Sequence, residues 1–222
     1  MKTKINEIFN SIQGEGPVVG YKQLFIRFCN CNLNCAYCDT EFKQGIEYTP
    51  KELYEKITTE YNLQTFHSIS LTGGEPLLNT PFLKEFLPMI KDKTKIYLET
   101  NATLTQELLE IKDNIDIISA DIKLETATGL DTFSKHFEFL SNCKNINTFA
   151  KIVFDENITE NEILKCCEIA KHTSIELVLQ PKMIGEKMSV TSDFCNKILD
   201  KFTTIYPKCR LIPQVHKFLD VR

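Results

Sequence analysis

The chain lacks the features that would point to nucleic acid or to a membrane as a partner. Its 222 residues carry a formal net charge of −4, so no excess of basic residues is available to hold a phosphate backbone. No apolar run approaches the roughly 18 residues of a membrane-spanning helix, and residues 1–16 contain no apolar signal-peptide core. We therefore expect a cytoplasmic protein with no nucleic-acid partner and no membrane segment.

Internal repeats, low-complexity tracts and linkers rich in Pro, Gly or Ser are also missing from the sequence. A chain of this length buries one core, so we expect a single domain over residues 1–222. Short apolar runs alternate with amphipathic stretches, and the predicted strands begin at Gln23, Ser68, Lys95, Ile115, Asn147 and Ser174. This alternation predicts an α/β fold with a mostly parallel sheet.

Helix-start signals lie between the predicted strands. Thr49 and Thr159 each stand three residues before a glutamate, which is the pattern of a capping box. Thr80-Pro81 opens a third helix, and a fourth runs from Phe194 to Phe202. Six strands in a chain this short fit a partial, open TIM-like barrel of about six parallel strands, whose chemistry lies at the carboxyl ends of the strands.

Three of the nine cysteines follow the first predicted strand closely, at Cys31, Cys35 and Cys38. Thiolates are the usual ligands of iron–sulfur clusters, and three of them leave one iron of a four-iron cluster open for a ligand. Zinc would need a fourth ligand at a typical spacing, and no later CxxC or HxxxH pattern supplies it. Chance clustering of buried cysteines is the other alternative. With the aromatic residue before Cys38, the CxxxCxxC spacing resembles the radical S-adenosylmethionine (SAM) superfamily.

A second motif lies at the end of the next predicted strand, at Thr72-Gly73-Gly74-Glu75. Its glycines permit a close approach of the backbone to a ligand, and it resembles the GGE motif of the same superfamily. The resemblance implies a radical SAM core with a [4Fe–4S] cluster, bound S-adenosyl-L-methionine, and flavodoxin or ferredoxin as electron donor. The residues nominated for the cofactor are Tyr37, Cys38, Asp39, Gly74, Glu75, Ser119, Asp121, Lys123 and Gln180. The other cysteines are interpreted as structural, although strand alternation points Cys29 the same way as Arg27.

The stretches Glu7–Pro17, Phe25–Phe28, Cys38–Thr40, Glu99–Asn101 and Gln214–Phe218 resemble the 7-carboxy-7-deazaguanine synthase family. The resemblance implies a homodimer and Mg²⁺ at Thr40. It also implies substrate contacts from Ile12, Gln13, Gly14, Glu15, Arg27, Thr72 and His216. From the residues alone, an N-terminal turn over Gln13–Pro17 and an internal Arg27–Glu15 salt bridge are the alternatives.

The resemblance leaves three activities open. Two of them are lyase reactions of queuosine metabolism, and the third is the activation of a glycyl-radical enzyme. A synthase contracts the ring of 6-carboxytetrahydropterin and releases ammonia. A queuine lyase cleaves queuine to a 7-aminomethyl-7-deazaguanine base. Asn30, where the family usually has glycine, and the Leu219–Arg222 tail depart from the synthase pattern near the expected substrate, so we narrowly favour the queuine lyase. A glycyl-radical-enzyme activating enzyme shares the cysteine spacing but acts on a protein, which the Ile12–Gly16 stretch and Arg27 argue against.

Overall fold

The computed structural model describes residues 1–36, 38 and 45–221. Its strands are β1 (Thr3–Ile12), β2 (Lys22–Phe28), β3 (Ile46–Tyr48), β4 (Ser68–Gly73), β5 (Lys95–Thr100), β6 (Ile117–Asp121), β7 (Asn147–Phe154), β8 (Glu176–Pro181), β9 (Met183–Ile184), β10 (Lys187–Met188) and β11 (Cys209–Leu211). Its α-helices are α1 (Pro50–Glu60), α2 (Thr80–Ile90), α3 (Thr105–Leu109), α4 (Glu125–Thr128), α5 (Phe133–Ser141), α6 (Glu160–Thr173), α7 (Ser192–Ile205) and α8 (Val215–Phe218).

The main sheet has the strand order β11-β8-β7-β6-β5-β4-β2-β1-β3. Strands β2, β4, β5, β6, β7 and β8 are parallel and are the six predicted strands, so the predicted core of the sheet is confirmed. Strand β11 extends it in parallel, whereas β1 pairs antiparallel with β2, and β3 antiparallel with β1. Within the described ranges no ladder joins β3 to β11, so the barrel is open, as predicted.

Three of the four predicted helices, α1, α2 and α6, begin where the sequence predicts, and the fourth, α7, begins two residues before Phe194. Both capping boxes are present: the hydroxyls of Thr49 and Thr159 accept from the amides of Glu52 and Glu162, whose carboxylates accept in return from the cap amides. Glu162 is buried and also accepts from the backbone N–H and the hydroxyl of Thr126, at 2.9 Å each. This carboxylate therefore joins the start of α6 to α4.

The two faces of the sheet differ in polarity because side chains alternate along each strand. Residues on the outer face, such as Ile26, Leu71 and Ile118, pack with the helices in the large hydrophobic core. The inner face has a small apolar cluster of Tyr97, Ile117, Phe149 and Val178. Beyond that cluster, toward the carboxyl ends of the strands, the inner face carries polar and charged side chains, and these form the wall of a cavity.

Candidate active site

A cavity of about 360 Å³ lies inside the open barrel. Fourteen of the residues predicted for the cluster, the cofactor or the substrate line it, namely Ile12, Gln13, Gly14, Glu15, Arg27, Cys31, Cys35, Cys38, Thr72, Gly74, Asp121, Lys123, Gln180 and His216. They come from the end of β1 and the β1–β2 connection, from four parallel strands or the loops that follow them, and from the C-terminal segment. Residues predicted for three different roles thus share one enclosed space.

Five predicted residues are not brought to the described cavity wall. Tyr37, Asp39 and Thr40 lie outside the described residues. Ser119 is buried on the inner face of β6, where its side chain hydrogen-bonds with that of Tyr97. Glu75 is fully buried behind the wall. Neither Ser119 nor Glu75 lines the cavity, and their contacts with the cofactor stay predictions.

The cysteine loop presents its sulfur atoms to the cavity. Cys31 and Cys35 are partly exposed, Cys38 is exposed, and all three are free thiols. Burial raises the pKa of Cys35, and the positive charge of Lys123 opposes this increase. Cys31 and Cys38 lie close enough for their negative charge to raise the pKa of Cys35 further. Cys29 is buried against Ile5 and Gly45 instead, which corrects the expectation from strand alternation, because β2 ends at Phe28.

The Gly-Gly turn after β4 lies directly against the cysteine loop. Gly73 has φ +116°, which a residue with a side chain rarely adopts. A Cβ at Gly74 would overlap the carbonyl oxygen of Asn30, and that oxygen accepts from the Glu75 N–H at 2.8 Å. The two motifs of the sequence are therefore one structural unit, because the second fixes the backbone that precedes Cys31.

The buried carboxylate of Glu75 joins the ends of β4 and β5. Its oxygens accept from the Leu77 N–H at 3.0 Å, the Thr100 hydroxyl at 2.9 Å and the Asn101 N–H at 2.7 Å. Burial raises the pKa of Glu75 to about 7, although these hydrogen bonds oppose the increase. Glu75 therefore acts on the cavity through the residues that it positions.

The side chain of Gln13 is occupied by partners within the protein. Its amide nitrogen donates to Gln23 at 2.9 Å and to Glu99 at 3.0 Å, and its oxygen accepts from the Glu15 N–H at 3.0 Å. Glu99 also accepts from the hydroxyls of Ser70 and Thr72. Its backbone is bonded as well, because the Gln13 N–H donates to the Tyr21 carbonyl at 2.8 Å and the Gln13 carbonyl accepts from the Gly20 N–H at 2.9 Å. The turn is thus held inside the barrel by both its side chain and its backbone.

Lys151 lies buried between two carboxylates of the cavity. It forms ion pairs with Glu15 and with Asp121, the latter at 3.2 Å, and Lys123 pairs with Asp121 at 2.7 Å. Burial would raise the pKa of Glu15, but Lys151 and a hydrogen bond from Gln214 lower it to about 2. Burial would lower the pKa of Lys151, but Asp121, Glu15 and Glu99 hold it well above its ordinary value.

Arg27 has a different partner from the one that the sequence suggests. Its Nε donates to Glu7 at 2.8 Å, and the expected alternative of an Arg27–Glu15 salt bridge is wrong, because Glu15 is paired with Lys151. The side chain of Arg27 is 25% exposed and lines the cavity. A guanidinium with one bound carboxylate has further N–H groups for an anionic ligand.

The C-terminal segment closes the open side of the barrel. The N–H of Val215 donates to the Gly14 carbonyl at 2.9 Å, and Gln214 donates to Glu15 at 2.6 Å. A Cβ at Gly14 would overlap His216, so only glycine allows this packing. The N-terminal turn therefore forms a wall of the cavity because the end of the chain holds it there.

Glu99, Lys151 and Gln214 are cavity residues that the sequence analysis does not nominate. Glu99 and Lys151 occupy inward positions of β5 and β7, in register with the inward side chains of neighbouring strands. A usable signal is the alternation in Ser68-Ile69-Ser70-Leu71-Thr72, which marks a polar inner face. This alternation predicts a polar inner face for β4, but it does not predict which charged residues of other strands meet across the barrel.

Comparison with known proteins agrees with this geometry. The model of the radical SAM superfamily matches residues 25–186. A 7-carboxy-7-deazaguanine synthase from Archaeoglobus fulgidus is 34% identical over 100% of both chains. The same enzyme from Geobacter sulfurreducens is 32% identical over 97% of this chain and 96% of its own. The crystal structure of QueE from Escherichia coli superposes with a TM-score of 0.64 at 20% identity, covering 97% of this chain and 95% of that one.

A barrel whose inner cavity is bordered by a CxxxCxxC loop and a Gly-Gly turn defines a radical SAM enzyme, and the chain belongs to that superfamily. Within it, the chain belongs to the 7-carboxy-7-deazaguanine synthase family. Among the described residues, no helix is long and apolar enough to cross a membrane.

The family implies a [4Fe–4S] cluster and S-adenosyl-L-methionine, and the cavity residues fit both. Three free thiols on one loop face the cavity, and thiolates are the protein ligands of such clusters. The Oε1 atom of Gln180 is buried on the cavity wall with no hydrogen-bond partner among the described residues. A buried acceptor of this kind is usually satisfied by a ligand or by water.

Proposed function

We propose that the protein is a 7-carboxy-7-deazaguanine synthase, a radical SAM lyase that contracts the ring of 6-carboxytetrahydropterin with loss of ammonia. The observation that carries this proposal is that Cys31, Cys35 and Cys38 share one cavity with the Ile12–Glu15 turn and Arg27. The full-length similarity to two synthases supports the same reaction.

The charges of the cavity favour this substrate over queuine. Of the described residues that line it, five are cationic and three are carboxylates; the cations are Arg27, Lys123, Lys151, Lys182 and Lys217, and the carboxylates are Glu15, Glu99 and Asp121. Arg27 and Lys182 are also paired with carboxylates that do not line the cavity, Glu7 and Asp155, so the described wall has no excess of positive charge. The remaining N–H groups of Arg27 suit a pterin carboxylate, whereas the secondary amine of queuine is cationic at neutral pH.

The preference for queuine lyase is not confirmed, and its two sequence arguments are weaker in the structure. Asn30 has φ +70°, where asparagine is one of the few substitutes for glycine, and it is not part of the cavity wall. Its difference from the family glycine is therefore conformational. The tail residues Leu219 to Val221 also do not line the cavity, so the tail gives no argument for a different substrate. Queuine lyase is therefore the second candidate.

Each part of the cavity has a proposed role. Cys31, Cys35 and Cys38 hold the cluster, while Gly74, Asp121, Lys123 and Gln180 bind S-adenosyl-L-methionine; Tyr37 and Asp39 belong to the same set by resemblance. When bound, the cluster and S-adenosyl-L-methionine supply a carbon radical that abstracts hydrogen from the substrate. The protein holds the substrate against it and excludes water. A flavodoxin or ferredoxin donor, Mg²⁺ at Thr40 and a homodimer complete the proposal.

The substrate contacts follow from the groups that remain available in the cavity. The turn from Ile12 to Gly14 meets the pyrimidinone edge. The carbonyls of Gln13 and Gly14 each accept one hydrogen bond within the protein and keep a second lone pair for the substrate. Arg27 binds the substrate carboxylate, while His216 packs on Gly14 and keeps the turn in place. Thr72 holds Glu99 at 2.8 Å on the wall facing the turn.

The test is a direct comparison of the two substrates. Anaerobically reconstituted enzyme is given S-adenosyl-L-methionine and dithionite, with either 6-carboxytetrahydropterin or queuine. We expect 7-carboxy-7-deazaguanine from the pterin and unchanged queuine. Release of a 7-aminomethyl-7-deazaguanine base from queuine, with the pterin left intact, would establish the lyase instead.

A further inference from the structure

Asn101 is a buried residue immediately after β5 whose side-chain amide faces the cysteine loop. It is 5% exposed, and its Nδ2 lies 3.7 Å from the Sγ of Cys31 and 2.7 Å from the Oδ1 of Asn32. Because a primary amide has two N–H groups, one donates to Asn32 and the other is directed to the sulfur.

The orientation of the Asn101 amide is set by its neighbours. The hydroxyl of Thr103 donates to Asn101 Oδ1 at 2.6 Å and accepts from Asn32 Nδ2 at 3.0 Å. A flip of the Asn101 amide would place its oxygen against the Oδ1 of Asn32, which leaves two acceptors facing each other. The N–H side of Asn101 is therefore the side that faces Cys31.

The backbone of Asn101 is fixed as firmly as its side chain. Its N–H donates to the buried carboxylate of Glu75 at 2.7 Å. The N–H of Glu75 in turn donates to the carbonyl of Asn30, next to Cys31. The Gly-Gly-Glu turn thus positions both the sulfur ligand and the amide that approaches it.

We propose that Asn101 is a positioning residue that donates an N–H···S hydrogen bond to the Cys31 thiolate and raises the reduction potential of the cluster. This inference rests on the proposed assignment of Cys31 as a cluster ligand. Hydrogen bonds to the sulfur ligands are among the factors that set cluster potentials. A donor stabilises the reduced cluster more than the oxidised one, because reduction adds negative charge to the sulfur atoms.

The test is an EPR-monitored redox titration of the reconstituted Asn101→Leu variant. Leucine has a similar size and no donor. We expect the variant to keep about four iron atoms, and its reduced-to-oxidised ratio at a given potential to fall by about threefold to tenfold, which is a shift of roughly −30 to −60 mV for a one-electron couple. The matched control is Thr103→Val, which removes a hydroxyl from the same group of side chains. The Oδ1 of Asn32 still accepts from Asn101 Nδ2 and keeps the N–H side toward Cys31, so the potential should stay at the wild-type value.

A second variant covers the case in which Asn101→Leu fails to retain iron. Asn101→Asp keeps the size and the acceptor for Thr103 but replaces the donor by an acceptor, so its potential should fall further. An unchanged potential in the Asn101 variants, an equal shift in Thr103→Val, or loss of iron from both Asn101 variants would overturn the proposal. The readout involves no substrate, so an enzyme that converts queuine rather than the pterin would change only the proposed function.

Discussion

At the scale of single residues, the cations of the cavity differ in how firmly they are already bound. Lys151 lies between Glu15 and Asp121 and is 8% exposed, whereas Arg27 is held by Glu7 alone among the ion pairs of the described residues. A substrate carboxylate that bound Lys151 would have to displace a buried partner, which costs several kcal/mol. Arg27 is therefore the cation suited to the substrate, and Lys151 the one that maintains the wall.

The Arg27→Ala variant tests this difference. A hydrogen bond to a charged group contributes about 1.5–3 kcal/mol, so kcat/KM for 6-carboxytetrahydropterin should fall by about tenfold to a hundredfold. Cleavage of S-adenosyl-L-methionine without substrate should be nearly unchanged. The control Glu7→Gln removes the charge partner but leaves the guanidinium, and should lose less. Equal losses in both assays would show that Arg27 acts on the fold rather than on the substrate.

His136 is a fully buried residue with a structural use. Its Nε2 accepts from the Lys123 N–H at 3.1 Å, and its Nδ1 is 3.1 Å from the Ala102 carbonyl, so the ring joins the ends of β5 and β6. Burial lowers the pKa of His136 to about 4. Between this value and the unfolded value of about 6.5, the unfolded chain binds the extra proton, so stability falls as the pH decreases.

This linkage predicts a pH dependence of unfolding. From pH 7 to pH 5, His136 should reduce the free energy of unfolding of the iron-free protein by about 2 kcal/mol. In His136→Gln, which retains a donor and an acceptor but does not titrate, that part of the pH dependence should disappear. Urea unfolding of both proteins at the two pH values measures it. Equal pH dependence in the two proteins would mean that the ring is not kept neutral by burial.

At the scale of secondary structure, apolar strands were predictable and polar or short ones were not. Strands β2 and β4 to β8 each carry an apolar outer face, and all six were predicted. Strand β1 has the polar sequence TKINEIFNSI, and β3 and β11 have three residues each, so periodicity gave no signal for them. These strands, at the two ends of the sheet order, depend on pairing with a neighbour, which only the folded sheet provides.

In the candidate site, local motifs were predictable from the sequence, whereas contacts between distant residues were not. The cysteine loop and the Gly-Gly turn are local motifs, and the structure brings both to the cavity. The Lys151–Glu15 pair joins residues 136 positions apart, and the Asn101–Cys31 contact joins residues 70 positions apart. Such pairs depend on the curvature of the sheet, so spacing along the chain cannot reveal them.

The C-terminal segment provides a prediction at this scale. Val215 is the first residue of α8, where proline is tolerated, and its N–H is the donor to Gly14. Val215→Pro removes that donor, and should loosen the N-terminal turn and raise KM for the pterin several-fold. Val215→Ala retains the donor and is the matched control, with a KM close to wild type. If both variants had the same KM, the segment would not hold the turn through this bond.

At the scale of the whole molecule, the open barrel brings the residues proposed for the cluster, the cofactor and the substrate to one cavity. The parallel strands direct their carboxyl ends to one rim, where the cysteine loop and the Gly-Gly turn lie. The gap between the edge strands is closed by the first turn and the last segment of the chain, which contribute Gly14, Glu15, Gln214 and His216. The residues proposed for the substrate thus come from the chain ends, β2 and β4, and those proposed for the cluster and cofactor from the loops and ends of the parallel strands.

The central claim is that the cysteine loop and the Ile12–Arg27 set act on one substrate within one cavity. Its most direct test is hydrogen transfer from 6-carboxytetrahydropterin deuterated at its carbon positions, using reconstituted enzyme, S-adenosyl-L-methionine and dithionite. Because loss of ammonia from the pterin is redox-neutral, the abstracted hydrogen atom has to be returned. We therefore predict that 7-carboxy-7-deazaguanine appears together with deuterium in the recovered S-adenosyl-L-methionine and in any 5′-deoxyadenosine, all measured by mass spectrometry. 5′-Deoxyadenosine that carries no deuterium, formed while the pterin remains intact, would contradict the account.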